Sequence, residues 1–282
     1  MIHAGLVLEG GGMRGMYTTG VLEFFLEKNL EFENCYGVSA GACQMCSYIS
    51  KQPGRAYHAV MDFVGNPEYC SFKSLITTGN MFNVKMCYEL IPDKYLPYDY
   101  KTAANYPGNA FAVATNIVTG EPEYLPVREL HHDITAIQAS ASLPLLSKNV
   151  HYNGKLLLDG GISDAIPIKH SIACGNQKNV VVLTKAVGYK RKPSSHLGLI
   201  KLAYLKYPKI YELMARRHIV YNDVLHYIEE EEKKGNLFVL RPQEPDDIGR
   251  IEKDKNKLDA LYRKGYEDAR VNYEKMMSYL ND

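Results

Sequence analysis

The chain has 282 residues, of which 46% are hydrophobic and 23% are charged, and its formal net charge at pH 7 is +1. This length suffices for one large domain with an appendage or for two modest domains, and either arrangement buries a full core. A charge so close to neutral argues against a polyanionic partner, and we expect no nucleic acid to bind.

The cysteines and the N-terminal residues indicate the compartment. The six cysteines show no zinc-like spacing, so we interpret them as buried free thiols and expect no metal site. The first residues show no signal-peptide pattern, and no apolar run approaches the roughly 20 residues that cross a bilayer. We therefore expect a cytoplasmic protein whose membrane contact, if it has any, is peripheral.

The chain begins with alternating strands and helices. Apolar residues predict a short buried strand at 4–9, and a helical spacing of apolar side chains follows at 16–28. A second strand at 32–38 and a second helix at 42–50 repeat this order. Such alternation predicts an α/β fold in which parallel strands are covered by helices on both faces.

The rest of the chain continues this pattern and then becomes mainly helical. Further strands are predicted at 110–115, 123–126, 156–159, 180–183 and 237–240. Further helices are predicted at 135–142, at 202–234 with a break near Pro208, and at 255–280. A basic, proline-containing stretch at 187–195 suggests a boundary. We therefore divide the chain into a first domain at 1–187 and a mainly helical, tyrosine-rich extension at 188–282.

A serine follows the second predicted strand, in the pentad Gly37-Val38-Ser39-Ala40-Gly41. The flanking residues Gly37, Val38 and Gly41 permit the cramped strand-to-helix turn that exposes a serine as a nucleophile. A glycine-rich turn with a helix-capping serine would use the same residues. The pentad alone leaves both interpretations open.

Glycines also follow the first predicted strand, in the stretch Gly10-Gly11-Gly12-Met13-Arg14-Gly15. The GxGxxG spacing is that of dinucleotide sites, but the next strand lacks the terminal acidic residue that would hold a ribose. A phosphate-binding P-loop is excluded, because no Gly-Lys-Ser or Gly-Lys-Thr follows. We therefore expect no cofactor. An oxyanion hole fits better, because both glycine loops leave neighbouring parallel strands at one sheet edge.

The candidate oxyanion hole draws on both loops. Its residues are Gly10, Gly11, Gly12, Arg14, Gly15 and Ala40. Backbone N–H groups of Gly11, Gly12 and Ala40 would donate to the developing negative charge. Arg14 would either hold a phosphate or carboxylate of the substrate or be a surface cation beside the loop.

A serine nucleophile needs a base, and none of the nine histidines has a recognisable setting. Asp159 ends an apolar strand and is followed by Gly160 and Gly161, which allow another chain segment to approach. A carboxylate can accept the serine proton when a dry pocket raises its pKa toward the operating pH. The same Asp-Gly-Gly sequence also suits an ordinary turn or cap.

These three motifs, in this order, resemble those of the patatin-like phospholipases: a GGGxRG loop, GVSAG and DGG. The stretch at 139–144, the turn at 152–154 and the approach from Asp159 to Pro167 are similar to the same family. The resemblance covers residues 4–172. Each motif alone is weak, but the set is specific.

The resemblance implies a three-layer α/β/α sandwich with a mostly parallel central sheet, and a Ser-Asp dyad without histidine. It makes Ser39 the acylated nucleophile and Asp159 the general base. Family members often carry asparagine a few residues after the aspartate, where this chain has Ser163-Asp164, so a polar contact at that point does not carry over. The region from about 190 to 282 looks like the C-terminal extension of a bacterial subgroup.

The sequence thus predicts a serine lipid acyl hydrolase that acts on phospholipid or another acyl ester. The alternative is a non-catalytic protein on the same fold that binds acyl lipid or a partner. A histidine-dependent enzyme, closer to an α/β-hydrolase, would use His170. No oligomeric state follows from the sequence.

Basic residues interleave with apolar ones at 199–221, which predicts either a face for anionic lipid or a solvated helix face. These basic residues are Lys201, Lys206, Lys209, Arg216 and Arg217.

Overall fold

The computed structural model describes residues 1–245 and 247–282. Across these residues, eight strands form one mixed sheet. They are β1 (Ile2–Leu8), β2 (Phe32–Val38), β3 (Asn109–Asn116), β4 (Pro122–Pro126), β5 (Val150–Tyr152), β6 (Lys155–Asp159), β7 (Asn179–Val182) and β8 (Phe238–Leu240). Neighbouring strands run parallel in the series β3, β2, β1, β7 and β8, whereas β4, β5 and β6 add antiparallel pairs. The predicted mostly parallel sheet is confirmed.

Helices connect and cover these strands. They are α1 (Gly15–Glu27), α2 (Ala40–Ile49), α3 (Arg55–Met61), α4 (Phe72–Thr78), α5 (Tyr100–Ala104), α6 (Leu130–Ser140), α7 (Ile168–Ala173), α8 (Leu197–Ala203), α9 (Pro208–Lys233), α10 (Lys255–Val271) and α11 (Tyr273–Asn281). A 3₁₀ turn occupies Gly12–Arg14, another occupies Gly160–Ile162, and a π-helix occupies Met86–Tyr95. The predicted helix at 255–280 is therefore interrupted at Asn272, and α6 begins five residues before the predicted helix at 135–142.

Two hydrophobic clusters cover the two faces of the sheet. Side chains alternate along a strand, so Leu6 and Leu8 of β1 face one cluster and Val7 faces the other. The first cluster includes residues of α1, α2, α6 and α10, and the second includes residues of α7 and α9. This arrangement confirms the α/β/α sandwich that the family resemblance implied.

The region after residue 187 shares the sheet and the core of the preceding region. β8 pairs with β7, and α10 packs against α1, where the Tyr17 hydroxyl donates to Asp268 Oδ2 at 2.8 Å. The helical character of the C-terminal part is confirmed by α9, α10 and α11. The division of the chain at residues 187 and 188 stays a prediction.

The register of β3 explains where two strand ends meet. β2 and β4 both pair with residues 111–113 of β3, so they lie on opposite edges of β3. β4 and β6 both pair with Ala114 and Thr115, which places β6 on the same edge as β2. Val38 pairs with Val113 and Asp159 pairs with the next residue, Ala114. The C-terminal ends of β2 and β6 therefore face each other along one edge of β3.

Two further expectations are tested by burial and helix composition. In the described part of the chain all six cysteines are free, but Cys174 is exposed and Cys43 and Cys87 are only partly buried. The prediction of buried thiols is therefore wrong for these three, because Cys43 and Cys87 lie on helices that line a cavity and Cys174 follows the end of α7 at the surface. Over the described residues, no helix combines the length and the apolar character that crossing a bilayer requires.

Candidate active site

Ser39 lies in the turn between β2 and α2 with an unusual backbone conformation. Its φ of 54° and ψ of −119° are unfavourable for a residue with a Cβ atom, as expected for a nucleophile elbow. The Ser39 N–H donates to Ser140 Oγ at 2.9 Å, and the Ser140 hydroxyl donates to the Val113 carbonyl at 2.6 Å. A buried serine from α6 thus connects the strained turn to β3.

Asp159 ends β6 and is 1% exposed. Its Oδ1 accepts the Gly161 N–H at 2.8 Å, whereas Oδ2 has no hydrogen-bond partner among the described residues. Burial raises the pKa of this carboxyl, and the Arg217 guanidinium and the Ser39 hydroxyl oppose that rise. Ser39 and Asp159 line one pocket without a hydrogen bond to Oδ2, and catalytic contacts of this kind often tighten only when substrate binds.

The loop after β1 approaches Ser39 closely. A Cβ atom at Gly10 would lie 2.8 Å from the Ser39 Cβ, so only glycine fits there. Among the described residues, the backbone N–H groups of Gly10 and Gly11 have no acceptor, whereas the Met13 N–H donates to the Arg250 carbonyl at 3.1 Å. The N–H of Ala40 lies in the first turn of α2, where it has no intrahelical partner.

Arg14 is buried, and its guanidinium donates to the Ile248 carbonyl at 3.1 Å. The interpretation of Arg14 as a surface cation is therefore wrong. Together with the bond between Met13 and Arg250, this contact holds the segment between β8 and α10 against the glycine-rich loop.

Glu9, at the start of the glycine-rich loop, holds that loop through hydrogen bonds. Its buried carboxylate accepts the Thr184 N–H at 2.7 Å and the hydroxyls of Thr184 and Tyr221. These bonds join the end of β1 to the loop after β7 and to α9.

An apolar cavity of about 150 Å³ opens on one side of Ser39. Side chains from α2, α3, the π-helix and α6 line it, among them Cys43, Ala59, Tyr88 and Ile137. Ser39, Ala40 and Gly12 lie at its mouth. A hydrocarbon chain whose end reaches Ser39 matches these walls.

A smaller polar pocket opens on the other side of Ser39. It contains Asp159 together with Arg191, Arg217 and Arg250. The same three arginines line an adjoining open cleft of about 380 Å³. Ser39 thus lies between an apolar cavity and a cationic pocket.

The structure brings most of the predicted site residues together. Those that line the pocket or the cavity are Gly10, Gly11, Gly12, Arg14, Val38, Ser39, Ala40, Asp159 and Gly161. The other four glycines line neither space, but they allow backbone or the Ala40 side chain to pack closely around the site: Gly15, Gly37, Gly41 and Gly160. The catalytic roles assigned to all these residues stay predictions.

His170 does not line the pocket. Its ring stacks on Tyr124 with centroids 3.3 Å apart and contacts Tyr36 edge-on. In the residues that the structure describes, the pocket and the apolar cavity contain no histidine, and no cluster of three or more His, Cys, Asp or Glu could hold a metal. At the point of departure from the family pattern, Asp164 accepts the Tyr124 hydroxyl at 2.7 Å and Ser163 bonds to Thr115.

Two known protein families match different parts of this chain. Residues 6–172 match the model of the patatin-like phospholipase family. The chain belongs to this family. Residues 207–281 match a second family model, a domain of unknown function called DUF6363. The patatin-like region thus contains both Ser39 and Asp159, and most of the C-terminal helices belong to the second match.

Several relatives share parts of this chain. The uncharacterized protein YjjU of Escherichia coli K12 is 30% identical over 247 residues, which are 85% of this chain and 68% of YjjU. The lysophospholipase NTE1 of Meyerozyma guilliermondii is 24% identical over 93% of this chain, but the match covers 18% of NTE1. An uncharacterized NTE family protein, Rv2565 of Mycobacterium tuberculosis, is 25% identical over 70% of this chain and 32% of its own length. The crystal structure of VipD from Legionella pneumophila aligns with the whole chain and with 67% of its own, at 13% identity and a TM-score of 0.47.

Sequence reasoning missed several residues of this patatin-like site. Ser140 was visible only as part of the family-like stretch at 139–144, and nothing in that stretch signals a bond to the Ser39 N–H. Arg217 had been placed on a basic helix face, but its Nε donates to the Gly161 carbonyl and its side chain lines the pocket. Arg191 and Arg250 lie in irregular segments, where no periodicity predicts which way a side chain points.

Proposed function

We propose that this protein is a serine lipid acyl hydrolase that cleaves fatty acyl esters through a dyad of Ser39 and Asp159. The observation that carries the proposal is the meeting of β2 and β6 on one edge of β3, since it puts the strained Ser39 and the buried Asp159 in one pocket. The apolar cavity at Ser39 suits an acyl chain. Membership in the patatin-like phospholipase family and a relative named as a lysophospholipase support lipid hydrolysis.

In the first half-reaction the Ser39 oxygen attacks the ester carbonyl carbon while its proton passes to Asp159. The dry surroundings that raise the pKa of Asp159 make it a better proton acceptor than an exposed aspartate. The tetrahedral intermediate then collapses, the alkoxide of the leaving alcohol takes the proton from Asp159, and an acyl-enzyme remains on Ser39.

Backbone N–H groups stabilise the oxygen that becomes negative. Gly10 and Gly11 offer donors without an acceptor in the described part of the chain, and the predicted donors Gly12 and Ala40 offer others, Ala40 at the start of α2. One such donor contributes about 3 kcal/mol to lowering the barrier. Helix α2 adds the positive end of its dipole.

In the second half-reaction Asp159 accepts a proton from water, which attacks the acyl carbonyl. The Ser39 oxygen leaves with the proton held by Asp159, and the fatty acid is released. No histidine takes part.

The exposed leucines of α8 and the residues after it support peripheral contact with a lipid surface. Leu199, Leu202 and Leu205 are 58%, 68% and 67% exposed, next to exposed Lys201 and Lys206. Apolar side chains beside lysines suit the boundary of an anionic bilayer. Co-sedimentation with vesicles should therefore require anionic lipid and decrease when Leu202 and Leu205 are both changed to Ser, and equal sedimentation with neutral vesicles would contradict it.

The test of the catalytic proposal is covalent labelling of folded protein with a fluorophosphonate, together with hydrolysis of p-nitrophenyl butyrate. We expect an adduct on Ser39, and we expect Ser39→Ala to lower kcat by about 10⁴-fold or more and to abolish labelling. Ser278→Ala, which changes an exposed serine on α11, is the matched control and should behave as the wild type.

Two results would contradict the proposal in different ways. Folded wild-type protein with no adduct and no turnover would favour the non-catalytic acyl-lipid-binding protein. A loss of activity in His170→Ala as large as that in Ser39→Ala would replace the dyad with a histidine-dependent mechanism.

A further inference from the structure

The cationic cleft beside Ser39 is unusual in its charge. The residues that line it include five basic ones and two histidines: Lys190, Arg191, Lys192, Arg217, Arg250, His196 and His218. Among the described residues that line this cleft, none is acidic. All of these side chains come from the chain after residue 187.

These arginines differ from others in the same molecule. Arg241, Arg263 and Arg270 each pair with a carboxylate, on Glu232, Asp259 and Glu267 respectively. Within residues 1–245 and 247–282, Arg191, Arg217 and Arg250 form no ion pair by the same distance criterion, although Asp159 lies in the adjoining pocket. The like charges of the cleft repel one another, and the adjoining pocket supplies only the carboxyls of Glu9 and Asp159 against three arginines, so the cleft has an energetic reason to bind an anion.

Arg191 is held in place by surrounding groups. Its backbone N–H donates to Asn222 Oδ1 at 2.8 Å, and its carbonyl accepts from Asn222 Nδ2 at 3.0 Å. Its guanidinium lies 3.8 Å from the centre of the Tyr221 ring, as in a cation–π contact. The buried Nε of Arg191 has no hydrogen-bond acceptor in the part of the chain that the structure describes. The same is true of the buried Nδ1 of His218.

Arg217 is held by a hydrogen bond to the loop that follows Asp159. Its Nε donates to the Gly161 carbonyl, two residues after Asp159. Burial and the neighbouring charges of Arg191 and Arg250 lower the pKa of Arg217 to about 9, so it stays charged at neutral pH. All three arginines line both the cleft and the pocket of Ser39, and the charges of Arg191 and Arg250 act on Arg217.

We propose that Arg191, Arg217 and Arg250 form a head-group site for a phosphate monoester, so that the substrate is an acyl ester with a terminal phosphate. This proposal rests on the proposed function. The acyl chain occupies the apolar cavity, the ester carbonyl lies at Ser39, and the phosphate occupies the cleft. The region that supplies the three arginines thereby selects the substrate class.

The charge of the head group favours a phosphate monoester over a choline phosphodiester as the occupant of the cleft. A phosphate monoester carries about −1.5 to −2 charges near pH 7 and offers three oxygens to guanidinium groups, which bind phosphate in bidentate fashion. A phosphocholine group is neutral overall, and its ammonium would meet Lys190 and Lys192. The cleft therefore favours the phosphate monoester and repels the ammonium of phosphocholine.

The test compares 1-decanoyl-lysophosphatidate with 1-decanoyl-lysophosphatidylcholine, both below their micelle concentrations. We expect kcat/KM to be at least about tenfold higher for the phosphate monoester, which corresponds to about 1.4 kcal/mol. Arg191→Ala and Arg250→Ala should each lower this selectivity ratio by about tenfold. Arg250 is exposed and lies outside the helices and strands, so its variant tests the site even if Arg191→Ala fails to fold.

Arg216→Ala is the matched control, because Arg216 neighbours Arg217 on α9 but does not line the cleft. The wild-type selectivity ratio should persist in this variant. Equal kcat/KM values for the two lipids in wild-type protein, or a ratio that survives in both cleft variants, would overturn the head-group site.

A binding measurement separates this proposal from the catalytic one. Ser39→Ala protein should bind 1-O-decylglycerol 3-phosphate, an ether that cannot be hydrolysed, at least about tenfold more tightly than the matching phosphocholine ether in isothermal titration. Inorganic phosphate should bind far more weakly than the ether phosphate. Inorganic phosphate that binds as tightly as the ether would make the cleft a site for the free ion and would overturn the link to a lipid. Failure of the proposed function would instead appear as wild-type protein that hydrolyses neither lysolipid and takes no fluorophosphonate label.

Discussion

The two spaces that meet at Ser39 are built from different parts of the chain and by different physical means. The apolar cavity is lined by residues from Gly12 to Leu143, most of them on helices or on the π-helix. The cationic cleft is lined by residues from Tyr189 to Arg250, and several of them lie in irregular segments. Packing of apolar side chains shapes the cavity, whereas hydrogen bonds and ring contacts position the arginines of the cleft.

This difference separates two kinds of recognition. Apolar burial has no preferred direction and grows with the area that is covered, so under the proposed function the cavity would set the length of chain that binds. Guanidinium groups form directional, charge-assisted hydrogen bonds, so the proposed cleft site would set which head group binds and how the ester is oriented. We infer that the patatin-like region supplies the reaction and the acyl specificity, and that the later region supplies the head-group specificity.

The largest expected effect is on the reaction itself, and it comes from changing Asp159 at the boundary between the two spaces. Asp159→Asn should lower kcat/KM for p-nitrophenyl butyrate by about 10³- to 10⁴-fold, because the amide cannot accept the Ser39 proton. The same change should raise the free energy of unfolding at pH 7. The folded-state pKa of Asp159 is raised, so ionisation of this carboxyl destabilises the folded state as the pH rises through that pKa. A neutral amide avoids that cost and still offers an oxygen to the Gly161 N–H.

Urea unfolding at several pH values checks the stability half of this prediction. The advantage of Asp159→Asn should disappear below the unfolded-state pKa of aspartate, near about 3.9. The pH profile of wild-type kcat/KM should have an acid limb whose midpoint lies above that value, since the carboxylate form is the base. A variant that is less stable than wild type at pH 7 would contradict the assignment of burial as the dominant cause.

An intermediate effect tests the apolar side alone. Ala59→Phe places a ring in the cavity, so kcat/KM for p-nitrophenyl decanoate should fall about tenfold relative to that for the butyrate, as the loss of two or more buried methylenes would cause. The ratio for the two lysolipid head groups should not change, because the cleft is untouched. Ala104→Phe is the control, since Ala104 is exposed on α5 and lines neither space. An unchanged chain-length preference in Ala59→Phe would mean that the acyl chain lies elsewhere.

The serine turn and the glycine-rich loop were far easier to predict from sequence than the cationic cleft. The order of strand and helix at the start of the chain follows from apolar spacing, and the two glycine loops fix where Ser39 and the oxyanion donors lie. The meeting of Asp159 with Ser39 did not follow from periodicity. It depends on β6 running antiparallel along the edge of β3 just beyond the end of β2. The sequence offered Asp159 as a base or as an ordinary turn residue, and the family resemblance favoured the base.

The cleft was missed because its residues carry no periodic signal. Arg217 lies on a helix whose basic residues are mostly exposed, and one helical position decides whether a side chain faces solvent or the pocket. Arg250 lines the pocket of Ser39 because the Met13 N–H binds its carbonyl and the Arg14 guanidinium binds the Ile248 carbonyl, contacts over more than 230 residues of sequence. Long-range contacts of this kind depend on the assembled fold and not on local pattern.

The smallest expected effect on catalysis concerns the link between the cleft and the glycine-rich loop, where the change is mainly one of stability. Tyr221 donates to the buried Glu9 carboxylate and also carries the Arg191 guanidinium on its ring. Tyr221→Phe removes the first contact and keeps the second, so the free energy of unfolding should fall by about 1.5 to 3 kcal/mol, as for other hydrogen bonds to charged groups. Tyr227→Phe changes a partly buried tyrosine of the same helix and should cost much less in urea unfolding at pH 7. If the lysolipid selectivity ratio also persists in Tyr221→Phe, then the ring alone positions Arg191. A collapse of that ratio would show instead that the Glu9 bond sets the position of the cleft relative to Ser39.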